Sequence, residues 1–388
     1  MRIVHLADLH LGKVLHGTSL LEDQRHALAA VVALLRGERP DALVLAGDLY
    51  DRALPSAEAV RLLDDFLREV HDGCGVPVVA IAGNHDSADH VGFGSWLFSR
   101  GALHVRGRAD PDLEPVTLTD KYGLSVDFHT LPYVDPEVAR VLFGDSEDAG
   151  THRGSVLALL HRAAEQRGRS PRRAVCVVHA LVQGEQPLSE CPRSERALFL
   201  GGAGAVPARA FEGFAYTALG HLHRPQDLTE GGSVRYAGSL LKYSFDEASH
   251  DKGATLVSLE AEGPARVEHR SIAPRRDLCR VRGSLEELLR DPALARFEGA
   301  YLSAELTDHP RPLQAMDRLH KRFPYALELR WTKSSEGPRA VLSPKAPRVD
   351  PEALFQEFYQ RFRAEPPTDE ALAVFREALA DARRAEGA

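Results

Sequence analysis

The sequence is short of several things, and each shortage narrows what the chain can be. No apolar run in its 388 residues approaches the length of a membrane span. The opening stretch Met1-Arg2-Ile3-Val4-His5-Leu6-Ala7-Asp8 lacks a signal-peptide pattern and enters a strand-like run at once, so a cytoplasmic chain is expected. Four cysteines, Cys74, Cys176, Cys191 and Cys279, are scattered without a Cys-x-x-Cys pair. That argues against a disulfide framework or a thiolate zinc site, and for reduced thiols. Positive charge is in deficit: the net charge is −8, so bulk basicity cannot hold nucleic acid. The exclusion lapses where metal ions supply the local charge. Internal repeats, low-complexity tracts and a Gly-x-x-x-x-Gly-Lys-Ser/Thr phosphate loop are also missing.

What is present is ordinary globular material, 44% apolar and 27% charged, long enough for two or three domains. The first two-thirds alternates strand and helix patterns. Strands are predicted at Ile3–Ala7, Ala42–Ala46, Pro77–Ala82, Leu124–Leu131, Ala174–His179, Phe214–Leu219, Val234–Ala237 and Ala254–Leu259. Ser19-x-x-Glu22 resembles a capping box for a helix with Leu28, Val31, Val32 and Leu35 on one face. Ser56 opens another helix whose apolar side is expected to carry Val60, Leu63, Leu67 and Val70. Such interleaving predicts a layered α/β fold, with β-sheets flanked by helices, over residues 1–273. A pause at Ala273-Pro274-Arg275-Arg276 precedes a small strand–helix–strand–helix–strand α+β unit over residues 277–332. A proline-bearing linker at 333–349 and two tail helices at 350–388, broken at Pro366-Pro367, complete the expected organisation.

The informative places are where apolar runs stop. They end at Asp8 and His10, at Asp48, at Asn84-His85-Asp86, at His179, and at His221 and His223. Ligands of open α/β sheets gather at the carboxyl ends of strands, so these positions can converge across two hundred residues of sequence. Any one of them has a blander explanation, as a turn cap or a satisfied polar residue; it is their joint placement that carries weight. Alternation turns His5 away from Asp8, and Gly47, Gly83 and Gly220 are explicable as turn glycines. Oxygen and imidazole donors without thiolate suit Mn²⁺, Fe²⁺ or Zn²⁺ in a catalytic centre. A carboxylate bridging two such ions is the arrangement used in two-metal hydrolysis of phosphate esters.

Asp8-x-His10, Gly47-Asp48, Gly83-Asn84-His85-Asp86, His179 and Gly220-His221-x-His223 together resemble the calcineurin-like metallophosphoesterases. More narrowly, "ADLHLGK", "AGDLYDRALPSAEAV", "ALGHLHRPQ" and "VRYAGSLLKYSFDEA" are similar to the bacterial SbcD nucleases, counterparts of the double-strand-break-repair nucleases of eukaryotes and archaea. The resemblance covers about Met1 to Ser271. It implies two Mn²⁺ ions, with Mg²⁺, Fe²⁺ or Zn²⁺ as alternatives. Asp8, His10 and His223 hold one, Asn84, His179 and His221 the other, and Asp48 bridges them. It implies His85 as the catalytic acid, a DNA-capping role for 277–332, and a nucleoid-associated repair enzyme. The implied partner is the SbcC ATPase, in a heterotetramer built on a homodimer and acting on double-stranded DNA ends and hairpins. The dimer is expected through Ser56–Val70 and Val91–Phe98. The tail residues Leu354, Phe355, Phe358, Tyr359, Phe362, Leu372, Val374, Phe375 and Leu379 are expected to dock SbcC or to fold back on the chain.

Two other functions are open on sequence. Gly47-Asp48-x-x-Asp51-Arg52 also resembles the Ser/Thr protein phosphatases, in which an arginine at that place grips phosphate, so Asp51 and Arg52 are substrate-side candidates for a phosphomonoesterase. A non-catalytic metal-bound scaffold is the other, and it has no need of His85. Asp86 is expected either to accept the second ring N–H of His85 or to sit in a solvated turn.

Overall fold

The structure, a computed structural model, describes residues 1–99, 102–110, 112, 114–144, 150–184, 205–332, 351–363 and 366–386. Two units pack separately, Met1–Thr332 and Lys333–Ala388.

In the first unit two six-stranded sheets lie face to face. One runs in the order Arg266–Ser271, Gly253–Ser258, Arg2–Leu6, Ala42–Ala46, Val78–Ile81, Leu103–Arg106. The last four are mutually parallel. The other runs Gln226–Asp227, Val234–Tyr236, Tyr216–Gly220, Arg173–His179, Ser125–Leu131, Val116–Thr119, with a parallel centre. Alternation along each central strand sends one set of side chains between the sheets and the other set outward. Ile3, Val44, Val79, Val175, Val177 and Ala218 fill the space between the sheets. Val4, Leu6, Leu43 and Leu45 pack outward against Leu28, Val31 and Leu35 of the helix Leu21–Glu38 and Leu62 and Phe66 of the helix Ala57–Arg68. The helix His152–Gly168 covers the second sheet's outer face through Val156, Leu159 and Leu160. Burial on both faces is why these strands read as continuous apolar runs.

Two helix details differ from the sequence-based expectation. Ser19 lies in the short strand Thr18–Ser19, and the helix N-cap is Leu20, without a side-chain cap bond, so there is no capping box. Ser56 does cap its helix, accepting from the Ala59 N–H. However, that helix buries Ala59, Leu62, Leu63 and Phe66 and leaves Val60 exposed, because the sheet beneath takes the Phe66 stripe.

A three-stranded parallel sheet, Leu278–Gly283, Tyr301–Leu306 and Ala326–Trp331, carries the helices Leu285–Arg290 and Ala315–His320. It has an apolar core of its own around Leu302, Leu306, Leu319 and Phe323. The expected linker lies outside the described residues. In the second unit the helices Pro351–Arg363 and Asp369–Glu386 pair with each other. Phe355 stacks on Phe375 with ring centroids 4.3 Å apart, and Arg376 binds Glu352. Leu354 and Val374 remain exposed, while the side chains of Phe358 and Phe362 are outside the described set.

Candidate metal centre

The strand ends converge. Beyond Leu6 and Ala46 the two chains keep pairing as loops: Asp8 N–H donates to the Gly47 carbonyl (3.1 Å), and His10 N–H to that of Asp48 (3.0 Å). Asp8, His10, Asp48 and His221 all adopt positive φ. Non-glycine residues avoid that region unless their surroundings over-determine it, and such strain gathers at functional sites. Two glycines make the convergence possible. A Cβ on Gly47 would lie 2.3 Å from His179 Nδ1, and one on Gly83 would lie 2.2 Å from Asp48 Oδ1. These positions demand a missing side chain, which is more than a turn requires.

Among the described residues, three groups of donor atoms cluster within 4.8 Å: Asp8, His10 and His223; Asp8, Asp48 and His179; His10, Asp51 and His85. Asp48 Oδ2 stands between His10 Nε2 at 3.6 Å and His179 Nε2 at 3.5 Å, while Oδ1 accepts the His85 N–H at 2.8 Å. Asn84 Oδ1 lies 2.9 Å from His179 Nε2 and 3.1 Å from His221 Nδ1. Asp8 Oδ1 accepts the His221 N–H.

These donors fit cations. His223 Nδ1 lies 3.0 Å from the Glu247 carboxylate, which favours the proton there and turns Nε2 toward the site. That Nε2 lies 3.0 Å from His10 Nε2, close enough for one proton or one cation to be shared between the two rings. His179 Nδ1 likewise meets the Ala46 carbonyl at 2.9 Å, which turns its Nε2 inward toward Asp48 and Asn84. Asp8 Oδ2 and His221 Nε2 are buried without a hydrogen-bond partner among the described residues. Burial raises Asp8 to about 6, despite His179 and His223 nearby, and lowers His10 to about 4. Burial opposes charge on Asp48 and His179 too, but their mutual attraction wins. Asp48 is held far below the carboxylate range and His179 is lifted to about 9. Each is the other's counter-charge in a buried pair.

The remaining candidates separate. Asn84 faces the two histidines, whereas His85 turns its Nδ1 to the Asp51 carbonyl at 3.0 Å and sets its ring edge-on to that of His10. Asp86 does not orient His85. Its carboxylate accepts the backbone N–H groups of Gly83, Leu49 and Tyr50 at 2.9–3.0 Å, tying two loops together in a largely buried turn. Asp51 accepts Lys13 Nζ at 2.8 Å. Arg52 is 76% exposed, with its Nε 3.8 Å from Asp51.

Several supporting residues escape a reading of the sequence: Lys13, Gln24, Tyr243, Glu247 and Lys252. Glu247 is buried between His223 and Lys252, whose Nζ is 2.6 Å away and also donates to the His223 carbonyl. The stretch "YAGSLLKYSFDEA" stands out in the sequence only for its resemblance, and it supplies both Tyr243 and Glu247. A histidine ligand needs an acceptor for its other ring N–H, and that rule could have directed attention to the carboxylates there.

Comparison with known proteins places the chain in a family. The family described as calcineurin-like phosphoesterase matches residues 1–173, and one described as type 5 capsule protein repressor C-terminal domain matches residues 274–362. A Staphylococcus epidermidis protein named as the D subunit of nuclease SbcCD is 30% identical over 329 residues, covering 85% of each chain. The protein of the same name from Staphylococcus saprophyticus is 31% identical over 334 residues, covering 85% of this chain and 84% of that one. A solved structure titled a dimetal phosphatase from Danio rerio covers 71% of this chain and 97% of its own, at 16% identity and TM-score 0.44. That likeness is too weak to carry an argument.

Because Asp48 Oδ2 lies within 3.6 Å of both His10 and His179, Asp48→Ala is expected to lower the Mn²⁺ bound at equilibrium, by elemental analysis, to well under half the wild-type content. Wild-type content in that variant would exclude a shared role for this carboxylate.

Proposed function

The chain belongs to the SbcD family of SbcCD nuclease components, and from that premise we propose that it is a Mn²⁺-dependent hydrolase of phosphodiesters. It acts as an exonuclease on double-stranded DNA ends and an endonuclease on hairpins or blocked ends, in DNA repair and recombination. The observation that carries the proposal is the convergence of ligand atoms, Asp8 with His10 and His223 and Asp8 with Asp48 and His179, each group within 4.8 Å. Asp8, His10 and His223 would hold one cation, Asn84, His179 and His221 another, and Asp48 would be shared. Bound divalent ions there supply Lewis acidity and offset the charge of a phosphodiester. That local charge outweighs a net −8 elsewhere on the chain.

His85 has the separate task. With Nδ1 on the Asp51 carbonyl, it is left with Nε2 to hold a proton for the departing 3′ oxygen, a poor leaving group as an alkoxide. Imidazole is the side chain whose proton is available near neutrality. His85→Asn is expected to keep its metal and its DNA binding while duplex cleavage falls by about 10²–10⁴. p-Nitrophenyl esters, whose leaving group needs no proton, should be affected far less, whereas Asn84→Ala should lose metal. Metal loss in His85→Asn, or wild-type cleavage, would overturn this division. A phosphomonoesterase gains little from Arg52, which points to solvent.

Exposure supports the assembly proposed here. The helix Ala57–Arg68 commits its apolar face to its own core, so the homodimer surface is assigned to Val91–Phe98, where Phe93 is 80% and Trp96 71% exposed. Isolated apolar residues are ordinary on a surface, but a contiguous group marks a contact. Light scattering at micromolar concentration should show a dimer that Trp96→Glu converts to monomer; a monomeric wild-type chain would refute the assignment.

Residues 277–332 are proposed to cap the DNA, within a heterotetramer completed by SbcC. The paired tail helices are proposed to dock SbcC helix against groove. Removing 351–388 should leave Mn²⁺-dependent nuclease activity and abolish SbcC binding in a pull-down. An intact complex would contradict that role.

A further inference from the structure

The geometry points to the small three-stranded unit as part of the support of the metal centre, holding the Leu9–Lys13 segment and His223 in place. The inference rests on the hydrolytic reading of that centre. Three times, a residue that grips the small unit is followed in sequence by one that grips the site.

The first pair is Asp23 and Gln24. Asp23 Oδ2 accepts the Tyr301 hydroxyl at 2.8 Å in a buried contact. Gln24 Nε2 donates to the carbonyls of His10 (2.7 Å) and Leu9 (3.2 Å), and its Oε1 accepts the Gly12 N–H at 3.0 Å. The second pair is Lys242 and Tyr243. Lys242 Nζ binds Asp277 at 2.7 Å, while the Tyr243 hydroxyl donates to the Leu9 carbonyl and accepts from Gln24. The third pair is Asp246 and Glu247. Asp246 binds Arg280, and Glu247 holds His223 Nδ1.

Apolar packing reinforces these ties. Leu278 and Tyr301 of the small unit belong to the same buried cluster as Leu9, Leu20 and Tyr243. The small unit also has its own core, so a displacement of it would load all three ties together. Neighbouring residues share one stretch of backbone, so a displacement at one is felt at the next. Gln24, Tyr243 and Glu247 are therefore positioning residues, and whatever pulls on the small unit is read at His10 and His223.

Two mild substitutions test this. Tyr301→Phe deletes one hydroxyl, and Asp277→Asn neutralises one partner of Lys242. Hydrogen–deuterium exchange on the full chain without added metal should show residues 9–13 exchanging about three- to tenfold faster in Tyr301→Phe, the worth of one buried hydrogen bond. Residues 243–247 should respond likewise in Asp277→Asn. Ser303→Ala, which loses only a bond to Glu328 inside the small unit, should leave both segments as in wild type. With Mn²⁺ and bis(p-nitrophenyl) phosphate, kcat in the first two variants should fall by a similar factor at unchanged KM. Wild-type exchange in both segments of both variants would overturn the inference. A wild-type chain that hydrolyses no phosphodiester would instead remove the hydrolytic reading, and the exchange result would still decide the coupling.

Discussion

Asp8, His10, Asp48, His179 and His223 crowd their polar atoms within 4.8 Å of one another in groups inside the protein, and the strand ends of this fold are organised to hold them that way. His10 and His223 set their Nε2 atoms 3.0 Å apart, and Asp48 presents an oxygen to His10 and His179. In a low-dielectric interior such crowding is costly unless the groups are paired or share a cation. The rest of the site resists the collapse that would relieve it. Gly47 and Gly83 allow the approach, four residues accept left-handed backbone, and Asp86 ties the Asp48 and Asn84 loops through three backbone N–H bonds.

The same constraint explains the supporting residues. Each inward-facing nitrogen needs its tautomer fixed from behind. The Ala46 carbonyl does this for His179, Glu247 for His223 and the Asp51 carbonyl for His85. Glu247 is itself charged and buried, and Lys252 neutralises it. Each buried charge brings in the next partner. The network ends at exposed ion pairs, Lys242 with Asp277 and Arg280 with Asp246.

How much of this was legible in the sequence divides along a physical line. Every interior strand of the two large sheets was visible, because burial on both faces writes an apolar run. All four edge strands, Leu103–Arg106, Val116–Thr119, Gln226–Asp227 and Arg266–Ser271, were missed. Edges are half-solvated and carry charge, as in Arg-Val-Glu-His-Arg-Ser, which looks like loop. Asp48 and the six candidate donors around it were legible because each ends a run. Gln24 and Tyr243 were not, since they act through carbonyls of other residues and nothing local marks them. The helix face at Val60 was misplaced because Val60 and Phe66 lie on different stripes, and only the sheet decides which is covered. His85 and Asp86 were adjacent and chemically compatible, yet backbone geometry gave His85 the Asp51 carbonyl and Asp86 the loop amides.

Whether the donors that converge on Asp48 hold two cations is decided by anomalous scattering from crystals grown with Mn²⁺. Two peaks flanking Asp48 are expected, one contacted by Asp8, His10 and His223 and the other by Asn84, His179 and His221. A single peak, or manganese bound elsewhere with none beside Asp48, would rule the two-cation centre out.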